Sequence, residues 1–200
     1  LTGRVAILEA RSIAPGEKAL VQIVLDQPTL AVRGDRFIVR DQSARRTIAG
    51  GEVIDPYGLR RGRAKPERIE ALQAMAHTGP RDALTHLLPI QVNGVDLDEF
   101  AFAWNLSSEE AERLYRDVDV VEGSLRRTRA GFAREDWEGI LQGLVDGLAA
   151  WHTDHADQVG PDETRLRLAC DLGRTRDVVN AAIDTLAVSY THLTLPTIAK

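Results

Sequence analysis

Residues 33–56 read RGDRFIVRDQSARRTIAGGEVIDP, and four of the five arginines there, Arg36, Arg40, Arg45 and Arg46, alternate with apolar residues or sit in a connecting turn. The two-residue period of a strand puts Arg36 and Arg40 on one face, with Phe37 and Val39 on the other. Arg45 and Arg46 fall in the connecting turn. A sheet with a basic outer face suits a phosphate backbone, because each guanidinium neutralises a phosphate and displaces its counterions. Ordinary strand alternation produces the same spacing, so the spacing alone does not select that chemistry.

Other constellations point away from catalysis. The phosphate loop G-x-x-x-x-G-K-[ST] is absent, and none of the three lysines, Lys18, Lys65 and Lys200, follows a glycine. The one cysteine, Cys170, lies in an apolar helical pattern and reads as a small core filler. It excludes an intrachain disulfide and fits a reducing compartment. His152 and His155, with Asp154 and Asp157, have a spacing at which two imidazoles can converge on an ion. No second ligand pair accompanies them, so they read as a hydrated helix terminus. Glu109-Glu110 and Glu135-Asp136 sit at helix starts, where the helix dipole accounts for them. Trp104, Trp137 and Trp151 fall on apolar faces and read as core. The expectation is no catalytic, cofactor-binding or metal-binding residue in this chain.

The elements that position the arginines follow from composition and period. The chain has 200 residues, 44% hydrophobic and 5% aromatic, with a formal charge of −5. Its cores must be built mainly from Leu, Val, Ile and Ala, and no run approaches the ~18 apolar residues of a membrane span. The start, Leu1 to Glu9, reads as a strand of an interior cut, not as a signal peptide. Residues 1–65 hold 12 Lys+Arg and 7 Asp+Glu, a formal +5; residues 66–200 hold 13 and 23, a formal −10. The first part is therefore the better suited to a polyanion.

Short apolar runs at Val5–Leu8, Ala19–Leu25, Phe37–Val39 and Thr47–Ile54 are separated by turn residues. Four or more short strands in residues 1–57 predict a small antiparallel β-barrel. Gly50-Gly51 predicts a bulge or corner within the last of them. Residues 58–65, with Arg60, Arg61, Arg63 and Lys65, read as an exposed basic linker.

At Pro66 the period changes to 3.6. Ile69, Leu72 and Met75 share a helix face, and Arg81–Leu88 adds a short helix. Capping-box spacings at Asp96/Glu99 and Ser107/Glu110 open two further helices. A hairpin follows, with its turn expected at Glu122-Gly123. Helix-turn-helix then hairpin is the layout of a winged helix, assigned to residues 66–130. The order begins again with helices at Arg134–His152, Asp162–Cys170 and Thr175–Leu186, with Asp171 to Arg174 as the intervening turn. Residues 131–188 are thus expected to form a second, incomplete winged helix. The tail 189–200, SYTHLTLPTIAK, differs in composition and reads as non-native.

The pattern Gly34-x-Arg36-Phe37-x-x-Arg40, then Arg46-Thr47-Ile48-x-Gly50-Gly51-x-Val53, resembles the third domain of translational GTPases such as elongation factor Tu. The Asp-Gln-Ser-Ala-Arg-Arg turn, the Val53-Ile54-Asp55-Pro56 exit and the tandem winged helices resemble the bacterial selenocysteine-specific elongation factors. Ala49 departs mildly from the glycine that related factors often carry there. The resemblance implies a cytoplasmic factor that carries selenocysteinyl-tRNA to the ribosome at recoded UGA codons. It implies GTP and Mg2+ in a GTPase domain outside this chain, against which the barrel packs. It also implies that a selenoprotein mRNA hairpin is held by a last winged helix outside it. Arg36, Arg40, Arg45 and Arg46 become candidate RNA or interdomain contacts, with no membrane partner. Two other classes stay open: a DNA-binding winged-helix regulator and an acidic protein-interaction module. The helix at Ser108–Arg116 offers Arg113 and Arg116 against Glu109, Glu110 and Glu112, so it is poorly charged for a DNA groove.

Overall fold

The computed structural model describes residues 1–125, 128–157, 160–170 and 172–191. Four strands occupy the first part of the chain. Strands β1 (Gly3–Ile7) and β2 (Val21–Leu25) pair antiparallel, with Gly3 opposite Leu25 and Ile7 opposite Val21. Strands β3 (Arg36–Arg40) and β4 (Thr47–Glu52) pair antiparallel from Arg36 opposite Glu52 to Arg40 opposite Thr47. The four strands form two separate two-stranded ribbons, not a closed ring. Closure takes more strands than these: barrels with packed interiors commonly use about eight. Several apolar side chains consequently stay open, among them Val5, Ile38 and Ile48.

The bulge expected at Gly50-Gly51 lies elsewhere. Gly50 and Gly51 stay in register opposite Ile38 and Phe37, and the slip falls between Val39 and Arg40, leaving Ile48 as the extra residue. The glycine at position 51 has a packing reason: the Phe37 ring occupies the space a Cβ would need.

Helix α1 (Pro66–Met75) starts at the expected proline, and α2 (Pro80–Leu87) likewise has proline in its first turn. A two-residue strand, β5 (Val95–Asp96), leads into α3 (Leu97–Ala103) and then α4 (Ser108–Asp117). The capping box of α4 forms as read: Glu110 N–H donates to Ser107 Oγ at 3.3 Å, and Ser107 N–H donates to Glu110 Oε2 at 2.9 Å. Strands β6 (Val120–Leu125) and β7 (Thr128–Ala133) form the hairpin. Its turn is not at Glu122-Gly123. Gly123 is mid-strand opposite Ala130, and the rings of Phe132 and Trp137 take the space of a Cβ there. Residues 126 and 127, between the strands, lie outside the described residues.

Three helices complete the chain: α5 (Arg134–Asp154), α6 (Glu163–Cys170) and α7 (Arg176–Thr191). Helix α7 runs beyond the expected end at Leu186 into the segment read as a tail. Of the turn expected at Asp171–Arg174, Asp171 lies outside the described residues, as do residues 192–200 of the tail.

The chain divides into two compact units, residues 1–90 with 98–118, and residues 91–97 with 119–200. In the first, two ribbons are followed by helices whose apolar faces bury Leu72, Met75, Leu84, Phe100 and Leu114. In the second, strands β5-β7-β6 make an antiparallel sheet. Phe132 of that sheet shares one core with Trp137, Ile140 and Leu144 of α5 and Val178 and Val179 of α7. Arg174 braces this unit, with a guanidinium that donates to the Val92 carbonyl and to Asp136.

Candidate nucleic-acid interface

The β3–β4 ribbon places its arginines as the period predicts. Arg36, Ile38 and Arg40 lie on the exposed face, and Phe37 and Val39 are half-buried on the other. Arg36 sits directly across the ribbon from Glu52, a neighbour that lowers the positive potential at that end. Arg40 reaches back to the Ala44 carbonyl at 3.5 Å.

The turn from Asp41 to Arg46 is built by one carboxylate. Asp41 Oδ1 accepts the backbone N–H groups of Arg45 at 2.9 Å and Arg46 at 3.2 Å, while Oδ2 accepts the Ser43 hydroxyl at 2.8 Å. Asp41 N–H donates to the Arg46 carbonyl, and Ala44 adopts a left-handed φ of 54° to close the turn. The Ser43 hydroxyl, then the N–H groups of Arg46 and Arg45, hold the Asp41 carboxyl below its usual range. Aspartate serves this turn because a short ionised acceptor can take several donors at once. The Arg45 and Arg46 guanidinium groups have no ion pair or hydrogen bond among the described residues. They are exposed at the tip, where an anion can reach them.

Residues 58–65 form a shaped loop. Gln22 on β2 donates its side-chain N–H to the Leu59 carbonyl at 2.9 Å. At the other end Lys65 N–H donates to the Gly62 carbonyl at 3.1 Å, in a turn that needs the left-handed φ of 71° at Gly62. Upstream, Asp55 accepts Tyr57 N–H at 2.8 Å and forms an ion pair with Arg68 at 2.8 Å, and Arg68 also donates to the Tyr57 carbonyl at 2.9 Å. Among the loop's cations Lys65 lies 3.4 Å from Glu67. Arg60, Arg61 and Arg63 have no acidic partner among the described residues.

One arginine of the 33–56 segment escapes the strand pattern. Arg33 lies before β3, and its guanidinium donates to the carbonyls of Met75 at 3.0 Å and His77 at 2.6 Å, at the end of α1. Nothing local in the sequence signals this use, because its partners are far along the chain. A second feature outside the sequence reading is the pair His77 and His86, stacked with ring centroids 4.2 Å apart. The Asp82 carbonyl lies 2.7 Å from His86 Nδ1, which assigns the proton to that nitrogen.

The other sequence candidates have structural neighbours. Trp137 and Trp151 are buried. Trp104 is half-buried. His155 stacks on Trp151 with ring centroids 4.5 Å apart, and His152 meets the same ring edge-on. Among the described residues no group of three or more His, Cys, Asp or Glu side chains is placed to hold a metal ion. Burial raises the Cys170 thiol above its usual range, so it stays protonated at neutral pH. On α4, Arg113 is engaged by Glu109 at 2.8 Å. No helix among the described residues is long and apolar enough to cross a membrane.

Comparison with known proteins gives a consistent result. Residues 1–60 match the family described as the selenocysteine-specific elongation factor, beta-barrel domain. The chain is 32% identical over 168 residues to the selenocysteine-specific elongation factor of Escherichia coli (strain K12), covering 84% of this chain and 25% of that protein. It is 24% identical over 188 residues to that of Haemophilus influenzae, covering 92% and 29%, and 29% identical over 150 residues to that of Desulfomicrobium baculatum, covering 74% and 23%. The resemblance to selenocysteine-specific elongation factors therefore extends over most of the chain. The chain spans about a quarter of the length of these curated relatives.

Proposed function

We propose that this chain is the part of a selenocysteine-specific elongation factor that joins its tRNA-holding β-barrel to a winged-helix extension. The whole factor would deliver selenocysteinyl-tRNA to the ribosome at recoded UGA codons. GTP and Mg2+ belong, on this reading, to a domain outside the chain, since no phosphate loop occurs in it. The selenoprotein mRNA hairpin likewise belongs to a winged helix beyond it.

The family match over residues 1–60 supports reading the two ribbons as part of a barrel. The chain order α2, β5, α3, α4, β6, β7 is that of a winged helix, with β5 as its short third strand. Helices α5, α6 and α7 repeat the helical part of the order. The assignment of domains to residues 1–57, 66–130 and 131–188 rests on these orders.

The observation that carries the RNA reading is the Asp41 turn, which holds Arg45 and Arg46 exposed and without acidic partners among the described residues. Phosphate contacts of this kind position a nucleic acid without reading its sequence, which is what a carrier of one folded RNA needs from a barrel. Arg36 and Arg40 flank the turn on the exposed face. The DNA-regulator alternative is disfavoured by α4, whose three glutamates outnumber its two arginines and of which Arg113 is engaged.

The test is a tRNA-binding titration of the complete factor at several salt concentrations, comparing wild type with Arg45→Ala/Arg46→Ala. Each lost phosphate contact should reduce the salt slope by about 0.7–0.9. Unchanged affinity and slope would show that these arginines meet the GTPase domain or solvent.

A further inference from the structure

We infer that the loop Leu59–Lys65 is a second, preorganised phosphate-binding element, which presents Arg60 and Arg61 to the backbone of a bound RNA. The inference deepens the RNA reading of the first unit and rests on it. From sequence alone the segment is a linker with four cations in six positions. Four like charges so close repel one another, and a chain free to extend relieves that repulsion by spreading. Here the loop is instead fixed at both ends, by the Gln22 side chain on the Leu59 carbonyl and by the Gly62 turn onto Lys65. Next to it, the Asp55–Arg68 pair ties the strand exit to α1, with both side chains largely buried.

The cations within this fixed geometry are not used alike. Arg68 is consumed by Asp55 and the Tyr57 carbonyl, and Lys65 is close to Glu67. Arg60 and Arg61 are exposed and without acidic partners among the described residues. Holding unpaired like charges together costs free energy in the free protein, and a polyanion that neutralises them recovers it. Guanidinium forks suit phosphate oxygens, which accept two parallel N–H groups. Chain entropy that a mobile linker would lose on binding is already lost in the folded loop. A nucleic-acid backbone fits better than an acidic peptide because this part of the chain carries a formal +5 spread over 65 residues, which matches an extended array of charges.

The experiment measures binding of an unmodified tRNA transcript to the complete factor between 50 and 300 mM salt. Wild type is compared with Arg60→Ala/Arg61→Ala, with Arg45→Ala/Arg46→Ala, and with Gln22→Ala, each checked for an unchanged circular dichroism melt. The loop pair should lower affinity on the order of tenfold at about 100 mM salt and reduce the salt slope by about 1.4–1.8. Gln22→Ala keeps every charge but frees the loop, so it should weaken binding several-fold with the slope unchanged. Loss with the turn pair alone overturns this proposal and leaves the proposed function standing. Loss with the loop pair alone supports this proposal and removes the turn from the interface. No RNA binding by wild type, or no loss in either pair, overturns both. Full binding by Gln22→Ala overturns the preorganisation.

Discussion

The guanidinium carbon of Arg33 lies 4.0 Å from the centroid of the Trp104 ring. The same group donates to the Met75 and His77 carbonyls, which the end of α1 leaves without helical partners. A planar cation can face an aromatic ring and use its in-plane N–H groups at the same time. Trp104 contributes through its face, and its buried indole N–H has no hydrogen-bond partner among the described residues. Arg33 therefore pins the entrance of the β3–β4 ribbon to the helices of the first unit.

Arg33→Ala is expected to destabilise the chain by about 2–3 kcal/mol, from lost charge-assisted hydrogen bonds to half-buried carbonyls. Arg33→Lys should recover less than half of that, because an ammonium cannot fork between two carbonyls and stack at once. Urea unfolding midpoints of the two variants check the order. Equal stability of Lys and wild type would mean that charge alone suffices.

The Asp55–Arg68 pair gives a larger expectation. The side chains are 10% and 16% exposed, so removing one partner strands the other in a poorly solvated place. Asp55→Ala should cost about 3–5 kcal/mol, and the double change Asp55→Ala/Arg68→Met much less than the sum of the two single changes. A double-mutant cycle by denaturant unfolding measures the coupling. An additive cycle would show that the pair is solvated.

The helices were legible because their signals are local. Pro66, the switch of period after it, and Ser107 with Glu110 each act within one or two turns of chain, and the structure places α1 and α4 where they indicate. Glycines were legible only as exceptions. The sequence marks Gly51 and Gly123 as special, but a glycine that makes room for a ring looks the same as one that makes a turn. Phe37 over Gly51, and Phe132 with Trp137 over Gly123, are cross-strand or tertiary neighbours that no window along the chain contains. Strand period fixes the face of Arg36 and Arg40, whereas Arg45 and Arg46 follow from the turn between the two strands. What the period cannot supply is the opposing strand: Glu52 across from Arg36 depends on the register of β4. Arg33 and the Gln22 anchor of the 58–65 loop were invisible for the same reason, since each acts on residues more than thirty positions away.

Acid should weaken the α4 cap in a defined direction. The Ser107 hydroxyl, then its backbone N–H, hold the Glu110 carboxyl below the ordinary glutamate value of about 4.3. A folded-state value below the unfolded one means that the unfolded chain binds more protons in the window between them. Stability from this group is then present above the unfolded value and is lost as pH falls through the folded one. Ser107→Ala should lower the unfolding midpoint at pH 7 and flatten its decline below about pH 4.3. An unchanged pH profile in Ser107→Ala would remove the cap from the acid response.

The Asp41 turn allows charge and geometry to be separated at the candidate interface. Removing a carboxylate beside arginines favours a polyanion by electrostatics alone, so both Asp41→Asn and Asp41→Ala gain on that count. They differ in the turn. Asn keeps a side-chain oxygen that can accept the Arg45 and Arg46 N–H groups, and Ala keeps none. If the arginines act through a held geometry, Asp41→Asn should bind a tRNA transcript at least as tightly as wild type. Asp41→Ala should then bind several-fold more weakly, because the tip must be ordered on binding and two backbone donors lose their acceptor. The salt slope should stay near wild type in both, since the number of cations at the interface is unchanged. Tighter binding by both variants would mean that local charge, not the shape of the turn, governs the contact. Weaker binding by both would mean that the ionised Asp41 is itself required, through hydrogen bonds that only a carboxylate makes strongly enough.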